Sequence, residues 1–247
     1  MNPGGINLQF SQRAPQLTDK APNAANLKVT AILDHAEPSI CALAAEFRRQ
    51  HRHDQELLQA GHRFLVESVK PIYTVDELQP ASRTLRKRMG SCSQRMACLE
   101  AVSRAASVAT RARVLRVSGK FWYPRFRGLS AFIPRDILLV WPQFYLDGAW
   151  VDFDELYGSP RELTRQADRG FSNEGESVFD AVAHTPVDFL AKTCKAGCSS
   201  NFDLSRFILA DEGFFDTRDE VFQRFGSFRK TLRGLAFEIL FGGRRSA

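Results

Sequence analysis

The chain has 247 residues, 44% of them apolar and 25% charged, which suits one generous domain or two small ones built around a real core. No stretch approaches the roughly 18 uninterrupted apolar residues of a membrane helix, and the opening MNPGGINLQFSQRAP lacks the charged start and apolar run of a secretory signal, so a cytoplasmic location is the expectation. The formal charge of +6 rests on 26 Arg and only 8 Lys, clustered at residues 48–52, 83–88 and 111–116; such a surface either attracts an acidic partner or decorates solvated faces.

Residues 1–27 are rich in Asn, Pro, Gly and Gln and are expected to form a mobile arm ahead of a core at 28–158. Helical spacing of Ile40, Leu43, Ala44 and Phe47 predicts a helix over 38–51. Leu57, Leu58, Gly61, Phe64 and Leu65 predict a second over 54–69, with Asp54 as its N-cap and Pro71 stopping it. A short extended segment at 73–76 and a basic helical turn at 81–88 lead to Gly90. Ser91 followed by Gln94 is a capping-box pattern, and the apolar residues from Met96 to Ala106 cover most of a helix circumference. A helix apolar nearly all round belongs in the domain centre.

The period then changes. Residues 112–119 read as a strand, and 137–146 and 149–153 as two more, joined by the hairpin signal Asp147-Gly148. Residues 159–247 read as a helical extension packed on the core, with candidate helices at 160–167, 177–194, 216–225 and 228–241. The whole is predicted to be α+β: a central helix on a small antiparallel sheet, with extra helices at both ends.

Five irregularly spaced cysteines argue against a disulfide framework. Cys92 differs from the others because Ser91 as the cap makes it the first residue of the buried helix. Unpaired amides gather partial positive charge there, which predicts a stabilised thiolate and a place for a developing oxyanion.

Four features of residues 57–156 resemble the transglutaminase-like superfamily, which shares a papain-type core. Tyr73, Asp76 and Leu85 fit the lead-in. Gly90-Ser91-Cys92 with Ala97 fits the nucleophile motif, and Ala112-Arg113-Val114 to Gly119 fits the following strand. Trp141 to Asp154 (WPQFYLDGAWVDFD) fits the hairpin that carries the rest of the triad. The resemblance implies Cys92 as nucleophile, Asp154 as the triad acid, and Trp141 and Trp150 as the hairpin's aromatic positions. It departs at the base, because Leu139 stands where the family's histidine belongs, and Gln143 stands where Glu is frequent. No histidine lies between His62 and His184.

A histidine takes the thiol proton and later protonates a leaving amine. A thiolate leaves without that help, so a site lacking histidine is expected to favour thioesters over amides. The first reading is therefore acyl transfer to an amine from a carrier-protein or coenzyme A thioester. A second is a non-catalytic scaffold of the same fold. A third is an amidase or peptidase whose base comes from elsewhere, such as His184. Ser91, Trp122, Trp141 and Gln143 are expected to line the site.

Weaker signals surround this site. Trp122, Tyr123, Arg125 and Phe126 either line the cleft or pack beneath their loop, and nucleic-acid binding has no other motif in support. Cys194 and Cys198 suggest a metal pair, but no second pair completes it, so neither metal nor organic cofactor is expected. His35, His51, His53 and His62 read as residues of a solvated face.

Overall fold

The computed structural model describes residues 20–126, 133–159, 162–163, 165, 171, 173, 176–191 and 203–244. In chain order its elements are α1 (Pro38–Gln50), α2 (Asp54–Ser68), β1 (Lys70–Pro71), α3 (Ala81–Lys87), β2 (Met89–Gly90), α4 (Cys92–Ala105) and β3 (Thr110–Ser118). There follow β4 (Asp136–Leu146), β5 (Ala149–Asp152), α5 (Val178–Ala181), β6 (Ile208–Phe215), α6 (Arg218–Phe225) and α7 (Leu232–Phe241). A 3-10 turn over Gly119–Phe126 and another over Phe153–Glu155 complete the parts that matter for the site.

The capping box forms as the sequence predicts. Gln94 N–H donates to Ser91 Oγ at 3.3 Å, and Ser91 N–H donates to Gln94 Oε1 at 3.1 Å. These bonds satisfy two donors that a helix start otherwise leaves open, and they fix Cys92 as the first helical residue. Gly90 enters the cap where a Cβ would stand 2.7 Å from Thr84 Cγ2, so no larger residue fits unchanged. Every residue from Gln94 to Arg104 is buried, which matches the apolar circumference read from sequence.

A four-stranded antiparallel sheet, ordered β5-β4-β3-β6, packs against α4, while α1, α2 and α3 pack on that helix from its other sides. The Asp147-Gly148 hairpin joins β4 to β5, with both residues at positive φ. The edge strand β6 corrects the expectation of a helical extension with no strand predicted in it. Its sequence, ILADEGFF, lacks a clean alternation of apolar residues and holds a glycine. Cross-strand pairing overrides that weak local preference: Arg113 meets Asp211, and Arg116 meets Glu212. Gly213, at φ +87°, sits where the β3–β6 register shifts.

Other expectations need adjusting. His53, not Asp54, is the N-cap of α2, and its side chain makes no cap bond. The helix expected over 177–194 shrinks to α5, capped by Ser177. Residues 20–27, assigned to the arm, lie against the sheet: Asn26 is buried and donates to Thr110 O, and Trp150 Nε1–H donates to Lys20 O. His35 and His62 are buried rather than solvated.

Buried charge ties the C-terminal segments to α4. Arg95 pairs with Asp180 at 2.5 Å, and its guanidinium stacks on the Phe179 ring. Arg218 at the start of α6 pairs with Glu100 at 2.8 Å, both almost without solvent contact. Arg218 also donates to Ser93 Oγ and Val140 O. One cation thereby links α6, α4 and β4, and the C-terminal part completes the core instead of decorating it.

Candidate active site

The N-terminal end of α4 opens into a cavity of about 520 Å³. Its walls come from the segment after β1, from the start of α4, from β4, from the 3-10 turn at Gly119–Phe126, and from residues 222–237. Cys92 and Ser91 lie in this wall with Leu139 and Trp122. The structure thus brings together the residue matched to the nucleophile and the residue at the altered base position. Leu139 is an apolar wall residue there, paired with Leu115 across the sheet.

The electrostatics of Cys92 reverse the expectation drawn from its position. Burial pushes the thiol up to about 12 from 9.0. Arg95, the Phe179 backbone and Arg125 act in the opposite direction and do not overcome it, while Asp180 adds to the rise. Desolvation of a sulfur anion costs more here than the nearby cations and the backbone hydrogen bond return. The resting residue is a neutral thiol, so a nucleophilic role requires a partner that removes its proton.

Sequence reasoning missed an acidic group in the cavity wall. Glu77 lines the same cavity and hydrogen-bonds the Ser93 side chain, next in sequence to Cys92. Burial holds its carboxyl above the usual range, against the lowering effects of that bond and of Arg218. Ser93 Oγ also accepts from Arg218 Nη1 at 3.1 Å, so the hydroxyl is gripped from both sides. Nothing in the spacing announced this, since Glu77 sits in a loop 16 positions before Ser93 and only the tertiary fold joins them.

The remaining predicted residues lie elsewhere. Trp141 and Gln143 do not line the cavity, which corrects their assignment as site-lining. Trp141 stands behind the wall, its ring edge-on to Phe189, and Phe189 itself faces the cavity. Its Nε1–H donates to Asp154 Oδ1 at 3.1 Å. Asp154 is buried in the 3-10 turn that follows β5, not in the strand, and the Asp154–Trp141 bond is one layer removed from the cavity. Gln143 accepts from Arg111 Nε at 2.6 Å and donates to Asp152 Oδ1 at 2.7 Å, a polar cluster within the sheet.

His184 is exposed, pairs with Glu176 at 2.6 Å and does not line the cavity. His62 is buried in the core, its ring packed on Phe179 at 4.5 Å. Both its nitrogens are engaged, Nε2 with Phe179 O at 2.6 Å and Nδ1 with Tyr157 Oη at 2.8 Å. Burial lowers it to about 4. It acts as a structural clasp between α2 and α5. Among the described residues no group of three His, Cys, Asp or Glu could hold a metal; Cys194 and Cys198 fall outside them. No helix there is long and apolar enough to cross a membrane.

Residues 41–155 match the family model of the transglutaminase-like superfamily. This part of the chain, from α1 through the turn bearing Asp154, is similar to a transglutaminase-like core, and the match supports a cysteine-dependent catalytic role in general terms. Among solved structures, a "Putative Cysteine Protease from Cytophaga hutchinsonii" is similar, with a TM-score of 0.41 and 18% identity over 55% of this chain and 42% of that one. No curated protein matches the sequence.

Proposed function

We propose that the protein is a cysteine-dependent acyltransferase that moves an acyl group from a thioester, carried by coenzyme A or an acyl carrier protein, to an amine. The observation that carries this reading is the presence of Cys92 and Glu77 in the wall of one largely apolar cavity, with Leu139 at the expected histidine position.

Glu77 as carboxylate takes the Cys92 proton while the sulfur attacks the thioester carbonyl. With the thiol near 12, prior ionisation is uphill, so proton transfer accompanies the attack. The donor's carbon–sulfur bond breaks, its thiolate leaves, and the proton on Glu77 passes to it. The amine then attacks acyl-Cys92, the amide bond forms, and Cys92 sulfur departs and recovers a proton from the amine by way of Glu77. Thioester and amine have become amide and free thiol. The α4 terminus offers the amides of Cys92 and Ser93, which have no acceptor within the helix, to the oxyanion of each tetrahedral intermediate. Amide cleavage would ask more of the site, because an amine must be protonated to leave and a thiolate need not be.

A non-catalytic binding module is the second reading, and the neutral resting thiol is what favours it. A base supplied by His184 gains no support from that residue's exposed ion pair with Glu176. Intact-protein mass spectrometry with a panel of acyl thioesters separates the first two. The acyltransferase reading expects an added acyl mass that maps to Cys92, vanishes in Cys92→Ala and accumulates more slowly in Glu77→Gln. No adduct from any donor, with both variants indistinguishable from the parent, would leave the binding module.

A further inference from the structure

We infer that the cavity beside Cys92 is built for a medium-length alkyl chain, so that the acyl group transferred is apolar; this rests on the reading of Cys92 as the acyl-carrying residue. Two hydrophobic clusters contribute to the cavity wall. Cys92 and Leu139 pack against the main core, while Phe126, Ile133, Phe237 and Phe241 form a second, smaller cluster with Tyr73, Val75 and Phe228 at its margin. Phe126, Ile133, Phe237, Val75 and Phe228 also line the cavity. Ser91 and Ser93 flank Cys92 in the chain and Glu77 hydrogen-bonds Ser93, so these polar groups belong to the reacting end; two guanidiniums also reach the wall, Arg116 engaged by Glu212 and Arg125 by Asn173.

A volume of about 520 Å³ exceeds what an acetyl group needs and lies within the range of sites that enclose drug-sized ligands. Buried hydroxyls or charges along the chain would lose water without gaining partners from phenylalanine, valine and isoleucine walls. An alkyl chain loses nothing there and gains from each methylene it buries. The second cluster also explains why α7 is present. That helix packs Phe237 and Phe241 against Phe126, and its Phe237 lines the cavity.

The test uses the N-acetylcysteamine thioesters of acetic, butanoic, hexanoic and octanoic acids, with the succinyl thioester as the charged control. Binding to Cys92→Ala is measured by titration calorimetry, and adduct formation on the unaltered protein by mass spectrometry. Affinity should rise roughly fourfold per methylene, the equivalent of about 0.8 kcal/mol, until the chain fills the cavity. The succinyl compound should bind no better than acetyl. Leu139→Trp should remove the advantage of octanoyl over acetyl, and Ile72→Trp, on another wall, gives the same reading if the first variant does not fold. Length-dependent binding without any Cys92 adduct would uphold the cavity assignment while removing acyl transfer. Adducts at Cys92 that form equally with every chain, and affinities that ignore length, would overturn the inference while leaving acyl transfer standing.

Discussion

Alkylation of Cys92 across a pH series tests the electrostatics from which the proposed chemistry starts. Burial raises its thiol to about 12, against 9.0 for an unburied one. At pH 7 the thiolate fraction is then about one in 10⁵ rather than about one in 10², a loss of roughly a thousandfold in the reactive species. Iodoacetamide is small and neutral, so its rate should follow that fraction once access is allowed for. The exposed Cys41 supplies an internal reference for access in the same sample. Peptide mapping of timed aliquots should show Cys92 modified far more slowly than Cys41 at pH 7, with a rate that climbs about tenfold per pH step through pH 10. Unfolding in urea should erase the difference. A Cys92 rate that levels off below pH 9 in the folded protein would refute the desolvation argument and reinstate a thiolate held by the helix end.

Three further outcomes follow from the buried polar groups. His62 is held neutral by burial at about 4, so its contribution is present above 6.5 and lost as pH falls toward 4. Urea unfolding should show about 2–3 kcal/mol less stability from this group at pH 4.5 than at pH 7, and His62→Gln should lack that part of the acid dependence. Arg218→Met leaves Glu100 charged and buried without its cation, which should cost about 3–5 kcal/mol in denaturant unfolding, whereas a surface ion pair such as Arg113–Asp211 should cost under about 1 kcal/mol. Trp141→Phe strips the indole donor from buried Asp154 and should destabilise by about 1–3 kcal/mol, with the mass-spectrometric adduct at Cys92 retained because the bond is not part of the cavity wall.

The elements that govern the site differ in how openly the sequence declared them. The start of α4 was legible because a capping box is local chemistry: Ser91 and Gln94 lie three residues apart and satisfy each other's backbone. The Asp147-Gly148 hairpin was legible for the same reason. Strand β6 was not, because its identity comes from Arg113 and Arg116 on another strand and not from its own alternation. Glu77 was hidden for a related reason, since only the packing of the 72–77 segment against α4 gives that carboxyl its partner Ser93. The thiolate at Cys92 failed as an expectation because position on a helix is visible in sequence and depth of burial is not. The cost of removing water from the sulfur was not anticipated.

Single-turnover quench experiments with an octanoyl thioester and an amine acceptor test the central claim most directly. Octanoyl-Cys92 should form with release of one equivalent of thiol, then decay at the rate at which amide accumulates. Amide produced with no octanoyl ever found on Cys92, or produced unchanged by Cys92→Ala, would contradict it.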